Sequence, residues 1–432
     1  MESVMYALGV VIFLFGVAAS IALHECGHMV PAKFFGVKVT QFFVGFGKTI
    51  WSTQRGETEY GLKSVPLGGY VKLVGMLPPE KDHDPSEIRS TNTGMFTQLA
   101  NDARKAEYEH VEPGDEDRLF YTKPWWQKVI VMAGGPTVNL LIATVLFSIL
   151  FMGFGVAKPT TQVSAVSDCA ISDTEAGRAC TPSDPTTPAK LAGIWPGDTI
   201  TSFNGTAITS WDQLVEFIRH NGNKVATIGY QRDGAAHRVD IATSVLARVS
   251  LDDPDTTEEV GFLGIQPEFT NERQGPAFVV REMGSMISST ANAVVHVPER
   301  MVGVVKSIFG AERAADSPIS VVGASMVAGE IVTHNSPTWA ERTQGLLGLL
   351  GGLNLFLWIF NLLPVLPLDG GHIAGALWEA IRRGFARLRG RPDPGPVDVG
   401  KMLPIAYAMA SLLIIMSVIL IVADVVNPVD VL

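Results

Sequence analysis

Two histidines four residues apart, with a glutamate directly after the first, form the pattern in this sequence with the clearest chemistry. The segment reads His24-Glu25-Cys26-Gly27-His28. On a helix, residues four apart share a face, so the two imidazoles can hold one metal ion. Glu25 lies about 100° round the helix, within reach of a metal-bound water, whereas Cys26 lies about 200° away and is not expected to be a ligand. The motif predicts hydrolysis with Glu25 as the general base.

A third ligand is needed, because a catalytic zinc keeps three protein ligands and one open position for water. The run Asn361–His372 contains Asp369 at the end of an apolar stretch, and Pro364 and Pro367 interrupt the helix just before it. Asp369 is the predicted ligand, and His372 is the second choice. The alternative is that Asp369 only ends a helix. Histidine and carboxylate ligands make zinc the default ion, with cobalt and manganese as alternatives.

Four stretches without Asp, Glu, Lys or Arg are long enough to cross a bilayer. They are Ser3–Leu23, Val129–Ala157, Thr343–Leu368 and Met402–Ala423. The alternative for each is a buried core helix. The first stretch lacks the basic start and small-residue cleavage site of a signal peptide, so it is read as a retained helix. The net charge of −10 over 432 residues does not suit a nucleic-acid binder.

The distribution of Lys and Arg predicts the orientation of the chain in a bacterial cell membrane. Basic residues are concentrated in 31–127 and in 382–401, and they are absent from both terminal tails. We therefore expect both basic segments and the metal site on the cytoplasmic side. Both termini and the segment 158–342 are then extracytoplasmic.

The segments between the spans have different characters. Residues 31–76 are typical of strands and turns, and residues 77–123 form a polar insert. The Ala-Gly-Ile, Gly-Asp and Asn-Gly pattern within 188–241 resembles a bacterial PDZ domain, a module that captures extended peptides. In an oxidising compartment Cys169 and Cys180 would form a disulfide; the alternative is two free thiols in a loop.

These features divide the chain into eight segments, which are the predicted spans and the regions that connect them. We expect a first transmembrane helix at 1–35, a β-loop and polar insert at 36–127, a second transmembrane helix at 128–157, a PDZ domain at 158–280, a juxtamembrane helical linker at 281–342, a third transmembrane segment at 343–372, a basic loop at 373–401 and a fourth transmembrane helix at 402–426.

Several of these motifs together resemble the site-2 proteases, the intramembrane zinc endopeptidases, and most closely the actinobacterial, mycobacterial-type enzymes of regulated intramembrane proteolysis. The resemblance covers nearly the whole chain. It is carried by 22–28, 56–61, Pro66-Leu67-Gly68-Gly69-Tyr70, Gly135-Pro136 with Asn139, 318–325 and 361–372. It is weakest in the insert 77–123 and in the loop that holds the two outer cysteines.

The resemblance implies a membrane α-helical fold with four transmembrane helices, a small cytoplasmic-face β-loop region and an inserted extracytoplasmic PDZ domain of the α+β class. It implies one Zn²⁺ ion held by His24, His28 and Asp369. The implied substrates are single-span membrane proteins, in particular anti-sigma factors already cut outside the membrane by a site-1-type protease. A PDZ domain would then screen substrates by size or by a new terminus.

Four further residues are candidates for positioning the substrate. Gly68 and Gly69 begin a stretch that offers a strand edge to an unwound substrate, and Asn361 and Asn139 could hydrogen-bond its backbone or orient a ligand. The alternative for both asparagines is interhelical hydrogen bonding. The rival functions are a metal-binding transporter, a non-catalytic PDZ membrane scaffold, and a membrane-anchored peptidase of soluble substrates.

Overall fold

The structure is a computed structural model that describes residues 2–78, 111–175, 178–251, 256–314, 316–333 and 338–429. The chain forms two compact units, each with its own core. The first unit joins Met1–Gly153 to Gly275–Leu432, and the second is Phe154–Gln274. The second unit is therefore inserted into the sequence of the first.

The first unit begins with helix α1 (Glu2–Phe34), followed by strands β1 (Val39–Arg55) and β2 (Thr58–Leu73). The apolar interior of α1 is bounded by an acidic residue in its first turn and a basic residue in its last, as the helix dipole favours. Gly56 connects the two strands with a φ of 62°, a conformation that glycine adopts without strain.

Strands β1 and β2 are long and bent. Part of each strand therefore pairs with two different stretches of the other strand. Gln41 pairs with Lys72 on one side and with Glu59 on the other. The result is a sheet of four short ribbons rather than a flat hairpin. In the described part of the chain, the ribbon Gly69–Leu73 pairs with β1 along one side and with no strand along its other side.

The polar insert predicted at 77–123 has a packed end. Residues 79–110 lie outside the described residues. Leu119 and Phe120 are buried, and the Phe120 N–H donates to the carbonyl of Val74 at 2.9 Å. Lys38 Nζ forms a 2.6 Å ion pair with Asp115, and both side chains are less than a tenth exposed. Residues 111–123 are therefore attached to the sheet, because they bring apolar side chains and a charge partner to it.

Helix α2 (Trp125–Ser148) follows, and a π-helical turn (Ile149–Phe154) continues it. Trp125 and Trp126 at its start are exposed, as aromatic residues at a membrane interface are.

The second unit is a sheet domain with two helices. Its elements are β3 (Val156–Val166), α3 (Pro188–Leu191), β4 (Thr199–Phe203), β5 (Thr206–Ala207), α4 (Trp211–His220), β6 (Val225–Arg232), β7 (Ala235–Ala242), β8 (Ser244–Val249), β9 (Thr257–Phe262) and β10 (Ile265–Glu272). The main sheet has the order β10-β3-β4-β6-β7, β5 pairs with β4, and β8 and β9 form a hairpin. Ile200, Ile228 and Leu214 form its core with α4.

An ion pair between a partly exposed Arg232 and a buried Asp198 holds the turn before β4 to β6. Asp198 accepts hydrogen bonds from Arg232 Nε at 2.7 Å and from the Trp195 N–H at 2.8 Å. Burial alone would raise the pKa of the Asp198 carboxyl, but these donors outweigh burial and hold the pKa below its ordinary value. In the same unit, Cys169 and Cys180 are joined in a disulfide.

Six further α-helices belong to the described residues of the first unit. They are α5 (Pro276–Val295), α6 (Val297–Ile308), α7 (Val321–Thr333), α8 (Trp339–Asn361), α9 (Asp369–Leu388) and α10 (Leu403–Val426). The segment predicted as a helical linker at 281–342 contains α7, which is buried against α1 with Ala328 fully inaccessible. The predicted basic loop at 373–401 is helical as far as Leu388, because its apolar residues recur with helical spacing between the arginines.

In the described part of the chain, four helices are long and apolar enough to span a membrane: Glu2–Phe34, Trp125–Phe154, Trp339–Asn361 and Val399–Val426. This confirms a multi-pass membrane protein with four candidate spans and sheet regions. Polar contacts join the spans to one another and to the helices beside them. Asn354 Nδ2 of α8 donates to Ser20 Oγ of α1 at 3.0 Å. Arg313 pairs with Asp424 of α10 at 2.7 Å, and both side chains are 2% exposed.

Candidate metal centre

Three side chains predicted as metal ligands converge at one point in the first unit. His24 Nε2 and His28 Nε2 each lie 3.4 Å from Asp369 Oδ2, and the two nitrogens are 3.2 Å apart. All three ligand atoms lie within 4.8 Å of one another. The residues come from opposite ends of the sequence, so the fold assembles the cluster, not the motif alone.

The two histidines owe their place to a close crossing of α1 and α2. A Cβ atom on Gly27 would overlap the backbone of Gly134, and one on Gly134 would overlap the carbonyl of Gly27. At the next position, a Cβ on Gly135 would overlap Nε2 of His28. Glycine at these three positions lets the backbones touch and leaves room for both imidazoles.

Each histidine has a partner for its other ring nitrogen. His28 Nδ1 lies 2.9 Å from the carbonyl oxygen of Val131, which accepts its proton and leaves Nε2 free to bind a metal. His24 Nδ1 lies 3.1 Å from the side-chain amide of Asn139. The Asn139 side chain is buried, and its Oδ1 has no partner among the described residues. Rotating the amide by about 180° would give the His24 Nδ1–H its acceptor and satisfy Oδ1.

Asp369 is held by the turn between α8 and α9. It is the first residue of α9, and the two glycines after it pack against the backbone of that turn: a Cβ on Gly370 would overlap the carbonyls of Leu362 and Leu363, and one on Gly371 would lie 2.7 Å from the Leu366 nitrogen. The Leu-Asp-Gly sequence therefore fixes the direction of the carboxylate.

These residues fit a zinc ion. Asp369 Oδ2 is buried and has no hydrogen-bond partner among the described residues, although it faces two imidazole nitrogens. Burying a carboxylate oxygen without a partner costs free energy of folding, and a cation between the oxygen and the nitrogens would offset that cost. Two histidines and one carboxylate are also a ligand set of catalytic zinc sites, which keep a fourth position open.

Glu25 lies beside this cluster and next to the sheet. A Cβ on Gly69 would lie 3.1 Å from Glu25 Cγ, so the Glu25 side chain reaches the ribbon Gly69–Leu73. The free edge of the ribbon Gly69–Leu73 is thus brought to the predicted general base. Gly68 adopts a φ of 115° and its Cβ would overlap the Phe46 ring, so only glycine fits there.

The remaining candidates fall outside the cluster. Asn361 is the last residue of α8, and its side chain is partly exposed. His372 lies in the first turn of α9 but does not share the three-residue ligand group in the described part of the chain. Cys26, which the helix geometry turns away from the ligands, is a free thiol.

Sequence reasoning missed an ion pair that supports the helix carrying Asp369. Lys128 Nζ of α2 lies 2.7 Å from Glu379 Oε2 of α9, with side-chain exposures of 7% and 2%. Arg383 approaches the other carboxylate oxygen at 3.2 Å. Lysine and glutamate 251 residues apart give no sequence signal of pairing. The Gly-Gly pair at 134–135 could have been noticed, because small residues in a span mark a close helix crossing.

Comparison with known proteins agrees with this geometry. The profile of peptidase family M50 matches residues 12–392. The chain is 33% identical to zinc metalloprotease Rip1 of Mycobacterium tuberculosis, over 98% of this chain and 99% of the relative. It belongs to peptidase family M50. Rip1 of Mycolicibacterium smegmatis is 30% identical over 99% of both chains, and metalloprotease MmpA of Caulobacter vibrioides is 26% identical over 88% of each. This M50 chain is an intramembrane zinc metalloprotease, as the site-2 protease resemblance predicted.

Proposed function

We propose that this M50 protease hydrolyses peptide bonds within the transmembrane segments of single-span membrane proteins and releases a cytoplasmic fragment. One observation carries the proposal. His24, His28 and Asp369 form the predicted metal-ligand cluster on helices of the four-span unit, and a strand edge with no strand partner among the described residues lies beside the adjacent glutamate. A substrate reaching this site must present an extended backbone.

His24, His28 and Asp369 would hold the zinc ion, and Glu25 would act as the general base. When bound, zinc supplies a Lewis acid that acidifies water and polarises the scissile carbonyl. Glu25 accepts the proton of the attacking water and then delivers it to the leaving amide nitrogen.

The ribbon Gly69–Leu73 is suited to bind the unwound substrate. A helical segment has its peptide groups in internal hydrogen bonds, so it must open before attack. Opened backbone groups in a membrane need new partners at once. The free edge of the ribbon offers such partners by strand addition, and Asn361 would serve the substrate from the end of α8. Asn139 is better placed to orient His24, because it is buried and contacts that ring.

We infer that the second unit is a PDZ domain that selects substrates. Its sheet leaves β7 and β10 as edge strands, and the Gly197-Asp198 and Asn204-Gly205 turns stand at the two ends of β4. The disulfide between Cys169 and Cys180 suits an oxidising compartment outside the cytoplasm, and the distribution of Lys and Arg agrees. The substrates would be anti-sigma factors shortened by an upstream site-1-type protease.

The decisive experiment compares the native protein with a Glu25→Gln variant and a matched Glu299→Gln control at an exposed position of α6. Each is reconstituted and mixed with single-span substrates that carry full-length or shortened ectodomains, with and without a chelator. We expect cleavage inside the span of shortened substrates by the native and control proteins only. The Glu25 variant should retain one zinc per chain. Full activity of that variant would refute the role of Glu25.

Other outcomes favour rival functions. Zinc bound without cleavage of any span, together with metal flux into proteoliposomes, would favour a transporter. Cleavage restricted to soluble peptides would favour a membrane-anchored peptidase. Capture of substrates without cleavage would favour a scaffold.

A further inference from the structure

Helix α9 presents an apolar face that the described part of the protein does not cover. Gly370, Ala376 and Glu379 face the protein and are buried. On the other side, five large apolar side chains are 44–85% exposed: Leu377, Trp378, Ile381, Phe385 and Leu388. Exposing an apolar face of this size and composition to water is unfavourable in free energy, so the face is expected to be buried in lipid or against another protein.

Arginines of α9 and its C-cap residue Arg389 lie beyond both borders of that face. At about 100° per residue, the five apolar side chains occupy an arc of about 100°. Arg382 and Arg389 follow about 20–40° beyond one border, and Arg387 lies about 80° beyond the other. Such an arrangement is typical of helices that lie in a membrane interface, where the apolar face enters the acyl boundary and basic residues remain at the headgroups.

The arginines are free to meet an anionic surface. Within the described residues, no carboxylate lies within 4.0 Å of a guanidinium nitrogen of Arg382, Arg387, Arg389 or Arg391. Arg382 donates to the carbonyl of Pro394, and Arg389 lies over the Phe385 ring at 6.0 Å. The one glutamate of α9 is already paired with Lys128. The exposed part of the helix is therefore strongly cationic.

The position of α9 in the chain places it at a membrane surface. Span α8 ends at Asn361 and the last span begins at Val399, so the connection between them lies on one side of the bilayer. Helix α9 itself is not among the candidate spans, and its arginines explain why. It must therefore lie on or near the surface and not cross the membrane.

We propose that α9 binds an anionic phospholipid surface, with Leu377, Trp378, Ile381, Phe385 and Leu388 in the acyl boundary and the arginines on lipid phosphates. A guanidinium presents a planar fork that matches phosphate oxygens in two parallel hydrogen bonds. Charge complementarity and continuity with the spans on either side favour this occupant over a protein. Asp369 begins α9, so the helix that docks on lipid also carries a predicted zinc ligand.

The test measures where the apolar face lies. In a Cys26→Ser background, Phe385→Cys carries a spin label, and the full chain is placed in nanodiscs of phosphatidylcholine alone or with about 30% phosphatidylglycerol. Collisions with oxygen report the acyl region, and collisions with a water-soluble nickel chelate report water. We expect frequent oxygen and rare nickel collisions in the anionic discs, and a shift toward nickel in the neutral ones.

Charge variants decide whether the arginines are responsible. Each basic residue near an anionic surface strengthens binding about fivefold, so Arg387, Arg389 and Arg391→Gln together should lower the ratio of embedded to exposed label about 100-fold in anionic discs. A control variant that removes three exposed charges from the second unit carries Lys224→Gln, Arg238→Gln and Arg273→Gln. Its ratio of embedded to exposed label should equal that of the protein without these substitutions. An embedded label that ignores both lipid charge and the triple variant overturns anionic recognition. Rare collisions with both reagents would mean that protein covers the face, which overturns lipid contact altogether.

Discussion

Replacing Gly135 by alanine should lower zinc affinity more than about 100-fold while improving the intrinsic helix propensity of α2. The added Cβ would lie 2.6 Å from His28 Cε1 and 2.8 Å from His24 Cε1. The nearest atom, His28 Nε2, would lie only 2.2 Å from it. Non-bonded heavy atoms prefer separations of about 3.5 Å, so the His28 ring must retreat by about 1.3 Å and the His24 ring by about 0.7 Å. Zinc–nitrogen bonds of about 2.0–2.1 Å tolerate deviations of only about 0.2 Å. Both histidines are therefore displaced beyond the range in which they can share one ion.

Helix propensity acts in the opposite direction. Alanine is favoured over glycine in a helix interior by up to about 1 kcal/mol, so a general loss of folding is not expected from propensity. Gly153→Ala is the matched control, because a Cβ at that position meets no atom within 4 Å.

The assay is competition for zinc against a chelator in detergent, with protease activity measured in parallel. Loss of a residue that orients a ligand lowers metal affinity about 10–100-fold, and displacing two ligands should exceed the upper end of that range. The Gly153→Ala control should bind zinc like the native protein. A Gly135→Ala variant with zinc affinity within tenfold of native would refute the claim that the α1–α2 crossing shapes the centre.

Three further predictions test the structure at separate points. Asn139→Ala should lower zinc affinity about 10–100-fold in the same competition assay, whereas Asn354→Ala, an equally buried asparagine, should not. Lys128→Met should leave the buried carboxylate of Glu379 with Arg383 as its one remaining ion-pair partner among the described residues and weaken α9 by up to about 3–5 kcal/mol, seen as faster amide exchange in α9 and reduced by a second Glu379→Leu substitution. Asp198→Asn should speed amide exchange in β4 and β6 of the full chain. Because the folded pKa of Asp198 lies below its unfolded value of about 3.9, its contribution is complete above about pH 5 and fades as the pH falls through the folded pKa; the variant should lack that part of the acid sensitivity.

Much of the architecture follows from the sequence, because its signals are local. An uncharged run of about 20 residues predicts a span wherever it occurs. The spacing of His24 and His28 predicts a shared face from helix geometry alone. Asp369 was predicted from its depth in the membrane, and the structure places it with both histidines. Its role as a ligand stays a prediction until zinc is measured.

Other features could not be predicted, because they depend on contacts between distant parts of the chain. Nothing in the sequence near Lys128 indicates Glu379, and nothing near Asn139 indicates that it contacts His24 rather than a substrate. The span at 343–372 was predicted as one segment, whereas α8 ends at Asn361 and α9 starts at Asp369. The prolines predicted the break, but the direction of α9 depends on its packing against α2.

The position of Asp369 links zinc binding to the assembly of the whole first unit. The histidines lie on α1 and the carboxylate on α9, and the entire second unit lies between them in sequence. Asp369 Oδ2 is buried with no hydrogen-bond partner among the described residues, and a cation between it and the two imidazoles would supply the missing partner. A ligand that binds only the assembled arrangement stabilises it by mass action, by about 4 kcal/mol at a thousand times its dissociation constant. Bound zinc should therefore stabilise the contact between α1 and α9. It should also stabilise the packing of α9 against Lys128 of α2, so loss of zinc and loss of that packing should occur together.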